Sequence, residues 1–409
     1  MDGRMMDSYT QVYKKLLNRL LEKTDLITED ILGFERFLII DKYTWFKEFI
    51  KQNEILPIQI DWQLTSRCNL NCRWCVGANI NKENETSEIP DSMNKEDIQR
   101  IATQIICAKK NGTKIETVQF SGFTGEPLLK WDCLMMAIKL LKKGNLKIGI
   151  FTNGTLMTEK TWNVLCHTDS VHISIDGGPE TWNAIKQPNY IKYTYFTIIN
   201  NIKGLVEEKK RIESKTEINA GYTVTYDNFK DLETVIKDLI EVGANSICIK
   251  FDITGNEKDK IENEEAMIST INNYIKKYNS ERFKVLMMHT YVPEKSRGRW
   301  KCSQGCYYRY FFATIGSDGK VYPCDYQTSK ECPNFGDLRQ NSLCDALYNK
   351  QERWDGIITT KSDVTNICPP FAEVINPYLK EVTTLVQEFG ADMVIKVYEA
   401  IKYQNLMKN

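Results

Sequence analysis

The chain has 409 residues, about the length of two domains with an appendage, and its hydrophobic content of 42% allows a sizeable core. Lysine and arginine total 54, as do aspartate and glutamate, so the charge favours neither nucleic acid nor an anionic membrane as a partner. The polar start MDGRMMDSYT does not resemble a secretion signal, and no apolar run reaches about 18 residues, so we expect a cytoplasmic protein whose 13 cysteines bind metal or are buried singly.

The first 55 residues favour helix. Val12, Leu16 and Leu20 recur at helical spacing, and Phe37 and Trp45 belong to a second apolar face further along. We therefore expect residues 1–55 to form a helical appendage.

From Pro57 onwards, strand-like runs alternate with helical patterns. The runs are IQIDWQLT, ETVQFSG, LKIGIFTN, SVHISID, NAGYTVTY and SICIKFD, and the main helices are expected at 94–110, 127–143, 158–167, 193–210 and 228–241. This alternation predicts a parallel α/β sheet. In the first run Ile60 and Trp62 share one face while Asp61 and Gln63 share the other, and strands apolar on one face only fit a barrel with a polar lumen. Six strands predict a partial, TIM-like (β/α)6 barrel over residues 56–282.

The pattern changes after residue 282. The stretch YFFATIGSDGKVYPC predicts a hairpin around Gly316–Gly319, and helical patterns follow near 342–354 and 373–407. We expect residues 283–409 to form a separate α+β domain that ends in a helix.

Three cysteines come directly after the first strand. Cys68, Cys72 and Cys75 lie within eight residues, and ligand sites of parallel barrels occur at the carboxyl ends of strands. Three thiolates can hold a four-iron cubane and leave one iron open for a ligand. A zinc site with a distant fourth ligand is the alternative.

The segment CNLNCRWC contains the CxxxCxxC signature and resembles the radical S-adenosylmethionine (SAM) enzymes. TGEPLL at 124–129, TNG at 152–154 and SIDG at 174–177 follow successive strands in that family's order, although Thr124 replaces the first glycine of its GGEP motif. The resemblance covers about residues 57–255. It implies a SAM-binding [4Fe–4S] cluster, reductive cleavage of SAM to a 5′-deoxyadenosyl radical, hydrogen-atom abstraction from a substrate, and an external electron donor such as flavodoxin or ferredoxin.

The resemblance also implies roles for individual residues. Cys68, Cys72 and Cys75 would bind the cluster. The segment Thr124, Gly125 and Glu126 would bind the methionine amino group of SAM, since a carboxylate pairs with an ammonium. Asn153, Ser174 and Asp176 would help to hold its carboxylate or ribose.

Four further residues on the predicted lumen face are candidates for substrate chemistry: Cys248, Lys250, Asp252 and His172. The thiol of Cys248 could give a hydrogen atom to a substrate radical, although a small core residue is the commoner role of such a cysteine. His172 has an equal alternative as a hydrogen-bonded structural histidine.

The hairpin ATIGSDGKVYPC resembles the opening of the SPASM and twitch auxiliary-cluster domains, but the downstream CxxC run of a full SPASM domain is absent. The resemblance implies one auxiliary [4Fe–4S] cluster, for which we expect Cys302, Cys306, Cys324 and Cys368 as ligands. Cys332 competes with Cys368 for the fourth position. Four cysteines would suit zinc as well.

The combined pattern predicts an enzyme that oxidises a small molecule, similar to the dehydrogenases of this superfamily that act on aminocyclitol alcohols. A maturase of ribosomal peptides and an epimerase using Cys248 remain alternatives. The appendage is short and poor in strands for a winged-helix peptide-recognition domain, which favours the small molecule. A non-catalytic iron–sulfur sensor or electron carrier is the rival from another class.

Overall fold

The computed structural model describes residues 7–15, 34, 36–75, 93–121, 125–251, 264–288, 306–325, 328, 334–348 and 370–406. Its centre is a ten-stranded, mostly parallel sheet. In chain order the strands of this sheet and of one small hairpin are β1 (Gln59–Trp62), β2 (Lys109–Lys110), β3 (Thr113–Lys114), β4 (Thr117–Phe120), β5 (Lys147–Thr152), β6 (Ser170–Ser174), β7 (Glu217–Val224), β8 (Ser246–Phe251), β9 (Lys284–Met287), β10 (Phe312–Ile315), β11 (Lys320–Tyr322) and β12 (Gly336–Asp337).

The strand order across the sheet is β12-β11-β10-β1-β4-β5-β6-β7-β8-β9, and β2 and β3 form the separate hairpin. Every neighbouring pair from β10 to β9 is parallel, whereas β11 and β12 are antiparallel additions at one edge. Since the order begins at β12 and ends at β9, the sheet does not close in the described part of the chain. The expected open α/β barrel is confirmed.

Helices connect the parallel strands and also precede β1 and follow β12. Residues 7–15 are helical, and the further α-helices are α1 (Tyr43–Ile50), α2 (Lys95–Cys107), α3 (Trp131–Lys143), α4 (Glu159–Leu165), α5 (Trp182–Lys186), α6 (Tyr195–Arg211), α7 (Leu232–Val242), α8 (Glu264–Tyr278), α9 (Leu343–Tyr348), α10 (Pro370–Phe389) and α11 (Ala391–Leu406). A five-residue π-helix spans Phe37–Asp41, and short 3₁₀ turns span Pro127–Lys130, Phe229–Asp231 and Tyr308–Tyr310.

All six expected strands are present, as β1 and β4 to β8, and the five expected helices are α2, α3, α4, α6 and α7. One parallel strand was not predicted: β9 extends the sheet by pairing with β8, on the far side of the boundary expected at residue 282. Four residues, KVLM, are too short a pattern to distinguish a strand from the end of a helix.

The two faces of the strands differ as the alternation predicts. Ile60 and Trp62 are fully buried in the core between sheet and helices, whereas Asp61 and Gln63 lie on the opposite face. Register then aligns polar side chains in rows across the lumen. One such row runs from Gln119 through Gly149 to Ser170.

A second core lies outside the barrel. The helical residues near the amino terminus pack on α10 and α11, and Phe46 lies edge-on to Tyr398, with ring centroids 4.8 Å apart. Phe311, which immediately precedes β10, belongs to the same core. The helical segments at the two ends of the chain therefore pack together beside the start of β10.

Within the described part of the chain, no helix is long and apolar enough to cross a membrane.

Candidate cluster and substrate site

The three-cysteine loop follows β1 and is held by the segment around α5. The backbone N–H of Arg73 donates to the carbonyl of Ile185 (3.0 Å), and that of Asn71 donates to Lys186 (3.2 Å). In the opposite direction, the N–H of Asn189 donates to the carbonyl of Asn69 (3.2 Å). These bonds fix the path of the loop, because they satisfy its backbone groups at the carboxyl edge of the sheet.

The chemistry of Cys72 suits a metal ligand better than a free nucleophile. Burial, with smaller contributions from the neighbouring Cys75 and Cys68 and from Asp176, raises the pKa of its thiol to about 12, although the Lys186 ammonium lowers it. Such a thiol stays protonated at neutral pH unless a metal ion displaces the proton. Three thiols are therefore the donor type that an iron cluster requires, although among the described residues no three cysteine, histidine or acidic side chains are arranged to hold a single metal ion.

Asn153 connects the TNG segment to the cysteine loop. Its side-chain amide donates to Oδ1 of Asn69 (2.9 Å) and lies 3.8 Å from Sγ of Cys68. Its Oδ1 accepts from Oγ1 of Thr155 (2.6 Å), and the Asn69 amide donates to the same hydroxyl (2.7 Å). The segment after β5 is thus bonded to the first cysteine.

Glu126 is 1% exposed and holds three groups together. Its carboxylate accepts from the backbone N–H groups of Leu128 (3.0 Å) and Asn153 (2.8 Å) and from Oγ1 of Thr152 (2.8 Å). Burial raises its pKa against the effect of these donors. A carboxylate offers about four acceptor positions, so one position remains beyond these three bonds.

Gly125 lies against the loop that follows β1. A Cβ at this position would stand 2.3 Å from the carbonyl oxygen of Thr65 and 2.7 Å from that of Arg67. The next residue, Glu126, donates its N–H to the same Arg67 carbonyl (2.8 Å). Only glycine permits this close backbone approach. Thr124 lies outside the described residues.

Lys186 is a site residue that the sequence analysis missed. It is 3% exposed, and its ammonium donates to Oδ2 of Asp176 (2.5 Å) and to Oγ of Ser174 (3.0 Å). Burial alone would lower its pKa, but Asp176 and Cys72 raise the pKa above its usual range. The segment TWNAIK that contains it mixes polar and apolar residues and gave no signal for a buried lysine.

Asp176 is constrained by its backbone as well as by this ion pair. Its φ is +52°, a left-handed conformation that asparagine and aspartate tolerate best after glycine. Its Oδ1 accepts from the N–H of Thr223 (2.6 Å). Despite burial, the charges of Lys186 and Lys250 lower the pKa of Asp176, so it is ionised at neutral pH.

The described lumen candidates lie in three successive rows of the sheet, those of His172, Cys248 and Lys250, and Lys250 is paired in register with Thr223. His172 is stacked on Phe151, with ring centroids 4.4 Å apart, and burial lowers its pKa, so the imidazole is neutral at pH 7. Register places Cys248 beside Gly221 and Gly221 beside Ser174. A Cβ on Gly221 would have no atom closer than 4.0 Å, so space is open between Ser174 and Cys248. Asp252 lies outside the described residues.

Two carboxylates that the sequence analysis did not select lie together in the lumen. Asp325, directly after Cys324, accepts from Thr314 (3.1 Å), Gln63 (3.0 Å) and Ser121 (3.2 Å). Thr314 is paired in register with Asp61. Burial raises the pKa of both acids, and the negative charge of Asp325 raises that of Asp61 well above its usual range.

The described auxiliary cysteines flank the β10–β11 hairpin in the sequence. Cys306 is buried just before the Tyr308–Tyr310 turn that leads into β10, and Cys324 follows β11. Cys302, Cys368 and the competing Cys332 lie outside the described residues, so the expected four-ligand set stays a prediction.

Comparisons with known proteins agree with this arrangement. Residues 62–236 match the radical SAM superfamily, and residues 306–369 match the SPASM iron–sulfur cluster-binding domain. Residues 62–236 thus form a radical SAM domain, and residues 306–369 form a SPASM-type auxiliary domain. The chain's cofactors are therefore SAM, the SAM-binding [4Fe–4S] cluster and auxiliary iron–sulfur, and it is an enzyme.

Individual relatives are distant. The chain is 23% identical over 73% of its length to the tungsten-containing aldehyde ferredoxin oxidoreductase cofactor-modifying protein of Pyrococcus furiosus, of which it covers 82%. It is 25% identical over 66% of its length to the AdoMet-dependent heme synthase of Methanosarcina barkeri, of which it covers 77%. The solved structure of native anSMEcpe with bound AdoMet superposes with a TM-score of 0.54 and 16% identity, covering 84% of this chain and all of that one. At 16% identity, the likeness to anSMEcpe shows the fold alone.

Proposed function

We propose that the protein oxidises a small organic substrate with a C–H bond next to a hydroxyl group. The observation that carries this proposal is the Asp61–Asp325 pair in the lumen. Asp325 directly follows Cys324 in the sequence. A carboxylate whose pKa is raised above its usual range is a stronger base, as general-base catalysis requires. Its position between the barrel and an auxiliary ligand suits an oxidation, in which proton and electron leave the same substrate.

The residues at the sheet edge would hold the cofactors. Cys68, Cys72 and Cys75 would bind the SAM cluster. Gly125 and Glu126, with Thr124, would line the methionine amino group, while Asn153, Ser174 and Asp176 would receive its carboxylate or ribose. Lys186 would support Asp176. The open space beside Gly221 would admit the nucleoside between Ser174 and Cys248.

The chemistry balances for an alcohol R₂CH–OH going to R₂C=O. When bound, SAM and its cluster supply a radical that abstracts the carbon-bound hydrogen atom, and auxiliary iron–sulfur accepts one electron. The hydroxyl proton goes to Asp61 or Asp325. Thr314, Gln63 and Ser121 orient Asp325, while His172 and Phe151 present a neutral aromatic surface further along the lumen. The auxiliary ligands would be Cys302, Cys306, Cys324 and Cys368.

The test uses anaerobic reconstituted protein with SAM, dithionite and a panel of secondary alcohols and amino alcohols. The native protein should form 5′-deoxyadenosine and a product two mass units lighter than its substrate. Asp325→Asn should retain deoxyadenosine formation and lose the oxidised product. The Cys68/Cys72/Cys75 triple alanine variant should lose both. An Asp325→Asn variant that oxidises substrate at the native rate would overturn the role of the pair.

Two alternatives give different results in the same assay. An epimerisation would leave the substrate mass unchanged, and Cys248→Ala would then stop turnover, whereas it should spare an oxidation. A peptide maturase would leave the alcohol panel untouched and act on peptides. The anSMEcpe protein has been solved with a peptide named Cp18Cys, but that concerns the neighbour alone. Membership of an enzyme family leaves the sensor or carrier hypothesis without support.

A further inference from the structure

Asn376 is a fully buried amide in an apolar surrounding. It lies in the first half of α10 at 0% exposure, next to Ile375 and near Tyr378 and Leu379, which belong to the second hydrophobic core. Asparagine is a poor helix former, and an amide buried without partners costs stability. An aliphatic residue would suit this position better if packing were its only task.

The amide makes three contacts to one segment outside its own helix. Its Oδ1 accepts from the backbone N–H of Tyr307 (2.8 Å) and of Tyr308 (3.0 Å). Its Nδ2 donates to Sγ of Cys306, 3.9 Å away. All three partners lie in the turn that leads into β10, so a single side chain holds that turn against α10.

The orientation of the amide follows from its partners. A backbone N–H can only donate, so the atom that faces Tyr307 and Tyr308 is the oxygen. The NH₂ group is therefore the one directed at Cys306. If the amide were flipped, its NH₂ group would face the N–H groups of Tyr307 and Tyr308, which are donors as well, and its oxygen would face the Cys306 sulfur.

We propose that Asn376 is a positioning residue of the auxiliary iron–sulfur site, which holds the Cys306 sulfur in place and donates an N–H···S bond to it. Hydrogen bonds to cluster sulfurs stabilise the more negative, reduced state and so raise the reduction potential. In the proposed oxidation, this bond makes the auxiliary cluster a better acceptor of the substrate electron. The inference rests on the proposed function in one respect, namely that Cys306 is an auxiliary ligand.

The test is made in the Cys68/Cys72/Cys75→Ala background, so that the auxiliary signal is measured alone. Asn376→Leu keeps the approximate volume and removes all three bonds. Its midpoint potential, from an anaerobic redox titration followed by electron paramagnetic resonance, should shift to a more negative value. Leu379→Ala is the matched control, since it creates a cavity in the same helix and core and should leave the potential unchanged.

A second measurement does not depend on the Asn376→Leu variant keeping its cluster. The Cys68/Cys72/Cys75→Ala protein that keeps Asn376 is unfolded and then refolded and reconstituted, once in H₂O and once in D₂O. Its Fe–S stretching bands in resonance Raman spectra should shift on deuteration if the amide donates to the cluster. An unchanged potential in Asn376→Leu, an equal shift in Leu379→Ala, or the absence of a deuterium shift would each overturn the proposal.

A separate experiment tests whether Cys306 is an auxiliary ligand at all. If Cys306→Ala retains its full auxiliary iron in this background, Cys306 is not a ligand and the auxiliary ligand set of the proposed function is wrong. If Cys306→Ala loses iron while the potential tests fail, the ligand assignment stands and only the role of Asn376 falls.

Discussion

Lys186 and Asp176 form a buried ion pair at the carboxyl edge of the sheet, with side chains 4% and 6% exposed. Such a pair contributes little net stability, because desolvation of both charges offsets their attraction. Removing one partner is different, since it leaves the other charge buried and uncompensated. The pair thus has its largest effect when it is broken.

Lys186→Met should therefore lower the free energy of unfolding by about 3–5 kcal/mol, measured by urea denaturation of the metal-free protein. Lys192→Met is the control, since Lys192 is exposed and its replacement should change stability by less than about 0.5 kcal/mol. The double variant Asp176→Asn/Lys186→Met should recover part of the loss. If Lys186→Met and Lys192→Met changed the free energy of unfolding equally, the buried ion pair would be contradicted.

The Asp61–Asp325 pair destabilises the folded protein when both carboxyl groups are ionised. An aspartic acid has a pKa of about 3.9 in the unfolded chain. If its pKa is higher in the folded state, the folded protein binds more protons than the unfolded chain at pH values between the two pKa values. Stability therefore falls as pH rises through that window, and the full penalty is present above the folded pKa. The charge arrangement proposed for catalysis is destabilising at neutral pH.

Asp61→Asn should accordingly be more stable than the native protein at pH 7, because it removes one of two like charges while its side-chain oxygen can still accept from Gln59. The difference should shrink as pH falls toward about 4, where the native acids are protonated. Urea denaturation at both pH values measures it. A stability difference that is the same at both pH values would rule out the raised pKa as its cause.

At the scale of elements, two glycines at the sheet edge have opposite surroundings. Gly125 is pressed against the backbone that follows β1, whereas Gly221 in β7 borders open lumen. The same added methyl group should therefore disturb the cysteine loop in one case and the ligand space in the other.

Gly125→Ala should displace the Thr65–Arg67 backbone and with it Cys68, because a Cβ 2.3 Å from a carbonyl oxygen cannot be accommodated by a side-chain rotation. Iron per chain after reconstitution should fall toward that of the triple cysteine variant. Retention of the native iron content would show that the loop adapts.

Gly221→Ala should leave iron content and fold intact and should change unfolding free energy by at most about 1 kcal/mol, in the stabilising direction. Its expected defect is weaker binding of SAM, measured by equilibrium dialysis of the reconstituted protein, because the methyl group enters the space between Ser174 and Cys248. Native affinity for SAM would place the nucleoside elsewhere.

At the scale of the whole molecule, the ends of the chain are joined through the second core, and the auxiliary hairpin is joined to the barrel through β10 and β1. Phe46 near the amino terminus contacts both Tyr378 and Tyr398 from the carboxyl-terminal helices. The first of these two helices, α10, carries Asn376. The helical appendage therefore packs on the helix whose Asn376 holds the turn that contains Cys306.

Phe46→Ala should lower the free energy of unfolding by about 3–5 kcal/mol and reduce auxiliary iron, since it opens a cavity in the core that backs the Cys306 turn. Phe196→Ala is the control: this ring is 61% exposed, so its loss should have a small effect on both quantities. Denaturant titration and iron analysis give the two readouts. Unchanged auxiliary iron in Phe46→Ala would separate the appendage from the auxiliary site.

The sequence by itself determined the order of six parallel strands and the five main helices between them, the polar lumen face, and the motifs at successive strand ends. These are local properties: alternation in IQIDWQ, the cysteine spacing and the TNG and SIDG segments are each readable within a few residues. The same local reading could not detect Lys186, since its role depends on a carboxylate ten residues away across a turn.

Only the tertiary structure decided which distant residues meet. Gln63 and Asp325 are 262 residues apart, and Cys306 and Asn376 are 70 apart, yet each pair is hydrogen-bonded. The hairpin adds β10 beside β1 in parallel register, which brings Asp325 into the lumen, and the packing of α10 on the appendage brings Asn376 to Cys306. Both contacts arise from burial of apolar surface on other parts of those elements, and no spacing in the sequence encodes them.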